Sequence, residues 1–355
     1  MPPSRAQRPR LADVAARAGV STATASLVLR GKAGPGEQAR VAVADAAREL
    51  GYRADRSASL LARRRTQLLG VSMDVRSPFH AELIEEIHAA ADELGYEVIV
   101  SPLTRTHDER RAVEALLDSR CEALLLLAPG LSEARLSELA RVRPVVALGR
   151  PLTAAGVDVV RAADDQGVAL AVEHLVGLGH RDIAFVDGPR GTISSLRREG
   201  YRRAMRRLVG PDAPHVVPGG ATEDDGVLAV GSLGDRPVTA VVAYNDRCAL
   251  GVLDGLRRDG RSVPGDLSLV GYDDSPLARL GTIDLTSVSP APHEMAVAAV
   301  RCAVERLDAA RSEDAKVVLE PVLVVRGTTA PPPHPHPKSS AHGQAHLPAA
   351  GQGGD

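Results

Sequence analysis

The 355-residue sequence predicts a multi-domain protein: an all-α head built on a helix-turn-helix, then an α/β core of two doubly wound parallel-sheet subdomains. Two short apolar helix patterns around a glycine open the chain. From Leu68 onward, continuously apolar strands alternate with helices, the mark of parallel sheets covered on both faces. The charge, finally, is split between a basic head and an acidic body. Single cores rarely grow beyond about 250–300 residues, so the length alone asks for more than one domain.

The first helix is read from Leu11, Val14, Ala15 and Ala18, spaced i, i+3, i+4 and i+7 on one helical face. Gly19 then supplies the residue that ends a helix in the left-handed conformation. Ser21 stands where an N-cap is needed. A second helix runs from about Thr22 to Leu29, with Ala25, Val28 and Leu29 inward and Thr22, Ala23, Ser26 and Leu27 less so. Taken alone, the stretch fits an ordinary helical hairpin better than a DNA-reading pair whose second helix lies in the major groove. Its neighbourhood reverses that preference. Residues 1–65 hold 13 Arg or Lys against 5 Asp or Glu, a net of +8, while the rest of the chain carries −10. Such a split fits a small nucleic-acid module joined to a domain with another task. Glu37 to Leu50 reads as a third helix with Val41, Ala44, Ala47 and Leu50 inward, and Asp55 to Arg65 as a short helix ending in a basic linker.

In the body, strands are expected at Leu68–Met73, Glu97–Val100, Ala123–Leu127 and Val145–Leu148. Helices are expected at Phe79–Leu94, Asp108–Ser119 and Ser132–Arg141. A second set begins near Val157 and alternates in the same way to Leu267–Gly271, followed by a helix at His293–Ala309 and a late strand at Val317–Val325. Open sheets of this kind bind ligands at the carboxyl ends of their strands, so a cleft between the two sets is the expected site. Beyond Thr329, Pro, His, Gly, Ser and Gln dominate, a composition that cannot bury enough apolar surface to fold. The domains expected are 1–55 (arm and helix-turn-helix), 56–66 (hinge helix and linker), 67–328 (core) and 329–355 (disordered tail).

Cys121, Cys248 and Cys302 are isolated, which excludes disulfide and zinc frameworks. There is no Gly-x-Ser-x-Gly elbow, no Gly-x4-Gly-Lys loop and no paired His ligands, so neither an enzyme nor a cofactor or metal is expected. No membrane-length apolar run and no signal sequence is present, and a cytoplasmic, nucleoid-associated protein is expected.

Several motifs together resemble the lactose-repressor (LacI/GalR) family of bacterial transcription regulators over about residues 10 to 329. They are Asp13-Val-Ala-x-x-Ala-Gly19-Val-Ser21-x-x-Thr24-x-Ser26, Glu49-Leu-Gly-Tyr52, Ala58…Leu61-Ala62, Ser77-Pro-Phe79-His-Ala-Glu82 and Glu173-His-Leu-x-x-Leu-Gly-His180-Arg181. Arg197-Arg-Glu-Gly200-Tyr201, Asn245-Asp246, Val270-Gly-Tyr-Asp273-Asp274 and Val325-Arg-Gly-Thr328 complete the series.

The resemblance implies a periplasmic-binding-protein-like core, a homodimer, a near-palindromic operator and a sugar-like or nucleobase-like effector in the inter-subdomain cleft. The regulator is expected to be a repressor; the alternative is a solute-binding protein with no DNA role. For DNA, it implies Thr22, Ala23 and Leu27 facing bases and Ser21, Thr24 and Ser26 facing phosphates. Arg30, Tyr52 and Ala58 add contacts, and Leu61 acts as a wedge in the minor groove. Leu27 stands where the family commonly carries Arg, Asp55 where Asn is usual, His80 where Phe is common, and Gly149 where many sugar-binding members carry Asp. For the effector, the resemblance implies Phe79, His80, Arg197, Asn245 and Asp273. Five of these readings, for DNA and effector together, have a plainer alternative. Leu27 packs inward, Leu61 packs in a linker, Asn245 caps a helix, Asp273-Asp274 forms a turn, and Arg197 is one more exposed arginine.

Overall fold

The computed structural model describes residues 9–29, 34–52, 65–234 and 236–333, in two compact units divided between Thr66 and Gln67. Arg30, Ala58 and Leu61, with most of the expected hinge helix and the tail from His334, lie outside the described residues.

In the first unit, helix α1 (Leu11–Ala18) ends on Gly19 at φ 66°, and the Val20 amide donates back to the Ala15 carbonyl at 3.0 Å. That 6→1 bond and left-handed glycine close the helix and turn the chain. Helix α2 (Thr22–Leu29) follows at once, and α3 spans Glu37–Glu49. Val14, Ala15, Ala25, Val43 and Ala46 form the buried core. The inner face of α3 is therefore Val43, Ala46, Ala47 and Leu50, not the expected Val41, Ala44, Ala47 and Leu50, and Val41 is 53% exposed. Both sets have helical spacing; contact with α1 and α2 decides the phase, and periodicity alone cannot.

The second unit holds two six-stranded sheets. The first takes β1 (Leu68–Asp74), β2 (Glu97–Leu103), β3 (Ala123–Leu127), β4 (Val145–Leu148) and β5 (Val157–Ala162), with helices α4 (Pro78–Glu93), α5 (Glu109–Asp118) and α6 (Glu133–Ala140) between them. The second is built from α7 (Asp164–Gly177), β6 (Ile183–Val186), α8 (Thr192–Leu208), β7 (His215–Val217) and α9 (Glu223–Gly231). It continues through β8 (Ala240–Ala243), α10 (Asp246–Arg258), β9 (Ser268–Tyr272) and β10 (Thr286–Ser289). The chain then returns through α11 (Pro292–Leu307) and β11 (Lys316–Leu319) before β12 (Val322–Val324). Strand orders are β11-β5-β4-β3-β1-β2 and β12-β10-β9-β8-β6-β7. Every pairing is parallel except β10 with β12.

Two expectations change here. β5, expected to open the second set, pairs with β4 and β11 in the first sheet. The expected late strand is two strands, β11 and β12, separated by Glu320-Pro321 and belonging to different sheets. Proline cannot donate to a ladder, so the break falls where the chain changes sheet. Helix α11 packs on the first sheet, where Met295, Ala299 and Val300 join the core of Leu69, Leu125 and Val146. The chain thus crosses between subdomains three times, near Ala163, Pro290 and Pro321.

The tail also begins later than expected. The Thr328 hydroxyl donates to the Leu269 carbonyl at 2.7 Å, and the Thr329 hydroxyl meets His174 Nε2 at 3.0 Å. The Ala330 carbonyl accepts from His180 Nε2 at 2.8 Å. Composition conceals this because hydroxyls and backbone, rather than apolar side chains, tie residues 328–330 down. Among the described residues no helix is long and apolar enough to cross a membrane.

Asp158 on β5 is 1% exposed and accepts from Arg306 at 3.0 Å, from Arg311 at 2.7 Å and from the Ala315 amide at 2.8 Å. Burial works to raise its pKa, and the hydrogen bonds from Arg311 and Arg306 outweigh that and hold it below the ordinary value. Removing one partner of a buried charge cluster costs about 3–5 kcal/mol. Asp158→Ala is expected to lower the stability of the core by about 3 kcal/mol, read as a lower urea midpoint with unchanged slope.

Candidate functional site

Two surfaces carry the chemistry. On the head, Ser21 caps α2 as expected: its hydroxyl accepts from the Thr24 amide at 3.1 Å and meets the Thr24 hydroxyl at 2.9 Å. Ser21, Thr22 and Ala23 are exposed, and Thr24 and Ser26 are half-buried. Leu27 is 36% exposed and stands outside the head core, so the inward alternative for it does not hold. Tyr52 packs against that core from its edge. The first turns of α2 thus present hydroxyl, methyl and isobutyl groups together, a set able to meet phosphates and thymine methyls.

In the second unit a cavity of about 490 Å³ lies between the two sheets, and all five expected effector residues line it: Phe79, His80, Arg197, Asn245 and Asp273. Their elements explain the convergence. Phe79 and His80 sit in the first turn of α4, whose start is fixed by Ser77 capping the His80 amide and by Pro78. Asn245 follows β8 and Asp273 follows β9, at strand carboxyl ends. Arg197 projects from the second turn of α8, close above those ends.

Arg197 is buried, not one more exposed arginine. Its Nε donates to Asp164 at 2.8 Å and its Nη1 to the Tyr244 carbonyl at 2.6 Å. The guanidinium carbon lies 3.5 Å from the centre of the Tyr272 ring and 4.9 Å from that of Tyr244. Burial disfavours its charge, but the Asp164 carboxylate more than offsets this and holds its pKa above the ordinary value. The Tyr244 ring is placed by Gly188: a Cβ there would come within 2.3 Å of it. Asp273 Oδ1 is 3.7 Å from Arg197 Nη2, beyond hydrogen-bond reach. Burial pushes the Asp273 carboxyl up to about 8; Arg197 opposes this, and the carboxylates of Asp246, Asp164 and Glu82 add to it. Burial thus favours the neutral form of Asp273, which can both donate and accept.

His80 is held neutral. Its Nδ1 accepts from the Asp74 amide at 3.1 Å, which leaves the proton on Nε2, and burial brings its pKa down to about 4. Asn245 does cap a helix, its Oδ1 accepting from the Cys248 amide at 2.9 Å, and it also lines the cavity. Asp274 turns away from it, toward Arg326 at 2.6 Å.

Sequence reading missed Asp164, Tyr244, Tyr272, Arg76 and Arg247, all neighbours of the site or part of its lining. Tyr272, Tyr244, Arg247 and Arg76 were legible as close neighbours of Asp273, Asn245 and the Ser77–Phe79 turn; Asp164 stands at the site through a chain crossing that no local pattern records. Among the described residues, the three cations on the lining are each paired with a carboxylate: Arg76 with Asp74 at 2.8 Å, Arg197 with Asp164, and Arg247 with Glu223 at 2.6 Å. No group of His, Cys, Asp or Glu among the described residues is placed to hold a metal ion.

A helix-turn-helix head and a two-lobed core enclosing a small-molecule cavity define a ligand-responsive DNA-binding protein. The profile for bacterial regulatory proteins of the lacI family matches residues 10–55, and that for a periplasmic binding protein-like domain matches residues 172–329. The chain is 30% identical to the HTH-type transcriptional regulator DegA of Bacillus subtilis, over 90% of this chain and 97% of that one. It is similar to a structure of the transcriptional regulator CelR in complex with cellobiose, at 31% identity and a TM-score of 0.64 over 90% of this chain and all of that one. A structure of the lac repressor dimer bound to operator and the anti-inducer ONPF matches at 27% identity and a TM-score of 0.76, over 91% of this chain and all of that one. The chain belongs to the LacI family: it is a DNA-binding transcriptional regulator, as its relatives are, and not an enzyme.

Because Asp273 binds its proton more tightly when folded, its own contribution to stability is present at low pH and is lost as pH rises toward about 8. Asp273→Asn removes that contribution's pH dependence, so the stability of the variant relative to the parent is expected to grow from about pH 5 to about pH 8 in thermal melts. A difference independent of pH would contradict the assignment.

Proposed function

We propose that this regulator is a homodimeric repressor of the cytoplasm and nucleoid. It binds a near-palindromic operator, and a neutral, polyhydroxylated effector of the sugar class in the core cavity switches its affinity. The observation that carries the reading is the convergence of Phe79, His80, Arg197, Asn245 and Asp273 on one cavity. Its volume lies within the range of small-molecule sites. Its chemistry favours a neutral ligand: every lining cation is already paired, so a phosphate or carboxylate would meet no uncompensated positive charge. Phe79 offers an apolar face to a sugar ring, while His80 Nε2, the Asp273 carboxyl and the remaining Arg197 and Asn245 donors offer hydrogen bonds to hydroxyls. The cellobiose bound by CelR is a ligand of that class.

On DNA, Thr22, Ala23 and Leu27 face bases and Ser21, Thr24 and Ser26 face phosphates, with Tyr52 at the edge and Arg30, Ala58 and Leu61 contributing from outside the described residues. Effector and operator then change each other's affinity by one common factor, typically about 5–150-fold.

A thermal-shift panel of neutral mono- and disaccharides, sugar phosphates and nucleobases on the full chain tests the effector class. A neutral sugar is expected to raise the melting temperature, since a ligand that binds only the native state stabilises it. Phe79→Ala should weaken that ligand by about tenfold, the loss of a ring contact. Stabilisation by sugar phosphates alone would overturn the neutral class. In mobility shifts, operator affinity is expected to fall steeply with salt. Leu27→Ala should lower affinity for operator more than for random DNA; equal loss on both would remove Leu27 from base reading.

A further inference from the structure

Two arginines of the second subdomain reach across to the first. Arg279 Nη2 donates to Glu82 Oε1 at 2.8 Å, and Arg247 Nη1 donates to the Arg76 carbonyl at 2.9 Å. Both acceptors belong to the short segment from Asp74 to Glu82, and Phe79 and His80 lie between them in sequence. Each arginine is braced within its own subdomain. Arg247 holds both Glu223 oxygens, at 2.8 and 2.6 Å. Arg279 also donates to the Asp274 carbonyl at 2.8 Å, and Asp274 is itself held by Arg326 at 2.6 Å.

We propose that Arg279 and Arg247 are positioning residues of the effector cavity: they clasp the two subdomains through the 74–82 segment and hold Phe79 and His80 against Arg197 and Asp273. The proposal rests on the cavity being the effector site. Three backbone crossings join the subdomains, a connection that permits hinge motion. A ligand that needs walls from both sides binds only the closed arrangement, so its apparent affinity scales with the closed fraction. The clasp raises that fraction before any ligand arrives.

The Glu82 carboxylate explains the direction. Its Oε2 is buried and has no hydrogen-bond partner among the described residues, and Arg279 donates to its other oxygen. Without Arg279, a carboxylate would be left buried and uncompensated, and opening the cleft is the way to hydrate it. The Arg279 side chain is 48% exposed and that of Glu82 13%. The Arg279–Glu82 contact is therefore expected to change the closed-to-open ratio about two- to five-fold, the range of a partly screened ion pair, and the Arg247 hydrogen bond to the Arg76 carbonyl to change it by about the same factor.

Small-angle scattering of the full chain without ligand tests this. Arg279→Ala and Arg247→Ala are each expected to enlarge the radius of gyration, and the double variant to enlarge it more. Arg279→Lys, which keeps a cation on Glu82, is expected to stay with the parent. Adding Glu82→Gln to Arg279→Ala, which removes the stranded charge, should recover part of the closure. A side chain that merely stabilises its own loop would lower the melting temperature and leave the scattering unchanged. Superimposable curves for the parent and all alanine variants would overturn the proposal, as would an Arg279→Lys protein as expanded as Arg279→Ala. Should Arg279→Ala fail to fold, Arg247→Ala gives the same reading independently. The measurement uses no sugar, so the clasp and the effector class can fail separately.

Discussion

The buried contact between Arg197 and Asp164 organises the cavity, because each partner comes from a different turn of the architecture. Asp164 opens α7 directly after the first crossing, and Arg197 sits in α8 with its guanidinium over Tyr272 and its Nη1 on the Tyr244 carbonyl. One side chain therefore ties the hinge, the end of β8 and the end of β9 together. A buried ion pair is weak evidence of net stabilisation, since desolvation consumes most of the attraction. Its value here is geometric. With Asp164 on one edge and an aromatic face below, the guanidinium has one allowed orientation, and the walls that depend on it are placed before a ligand binds.

That arrangement also settles the charge of the cavity. One guanidinium faces two carboxyl groups, and Asp164 has the hydrogen bond while Asp273, at 3.7 Å, does not. Burial raises both carboxyls, and the hydrogen bond from Arg197 opposes this at Asp164, so the neutral form is favoured more at Asp273. The result is a site that is dense in hydrogen-bonding groups, nearly neutral overall and lined along much of its length by Leu127, Leu148, Ile193 and Met295. Hydroxyl-rich neutral molecules need that mixture: donors and acceptors at the edges of a ring, apolar contact on its faces, and no strong field to favour an ion.

Much of this was legible in the sequence, and the parts that were not share a cause. The runs Ala123–Leu127 and Val145–Leu148 read as buried strands and are buried strands, because a strand covered on both faces must be apolar throughout. The five effector positions came through motif resemblance, and the convergence behind them lay beyond any local pattern. β10, Thr-Ser-Val-Ser, was missed because its buried hydroxyls are satisfied by partners far away in sequence, such as Asp246 on Ser287 at 2.6 Å. Placing β11 in the first sheet requires a pairing across more than 150 residues, Val317 with Val160, and α11 packs on that sheet from as far away in sequence. Periodicity reports the face a segment hides, not what it hides it against, and the phase of α3 was misread for the same reason.

The head poses the opposite problem: its fold is plain and its code is sparse. With Leu27 turned outward, α2 presents one hydroxyl, one methyl and one isobutyl group at the positions proposed to face bases, and no side chain there can make the bidentate contact by which arginine or asparagine reads a purine. Each such contact would supply about 1–3 kcal/mol of discrimination. Apolar contact with thymine methyls supplies less, and only at A·T pairs. An operator chosen mainly by these three residues would have many competitors in a genome. Two features enlarge the choice without new base contacts. A dimer reads two half-sites, one with each head, so small preferences multiply. DNA that bends easily at the centre of the site is selected through its deformation energy. On the proposed dimeric reading, the operator is then selected as much by how the duplex yields as by the groups it displays.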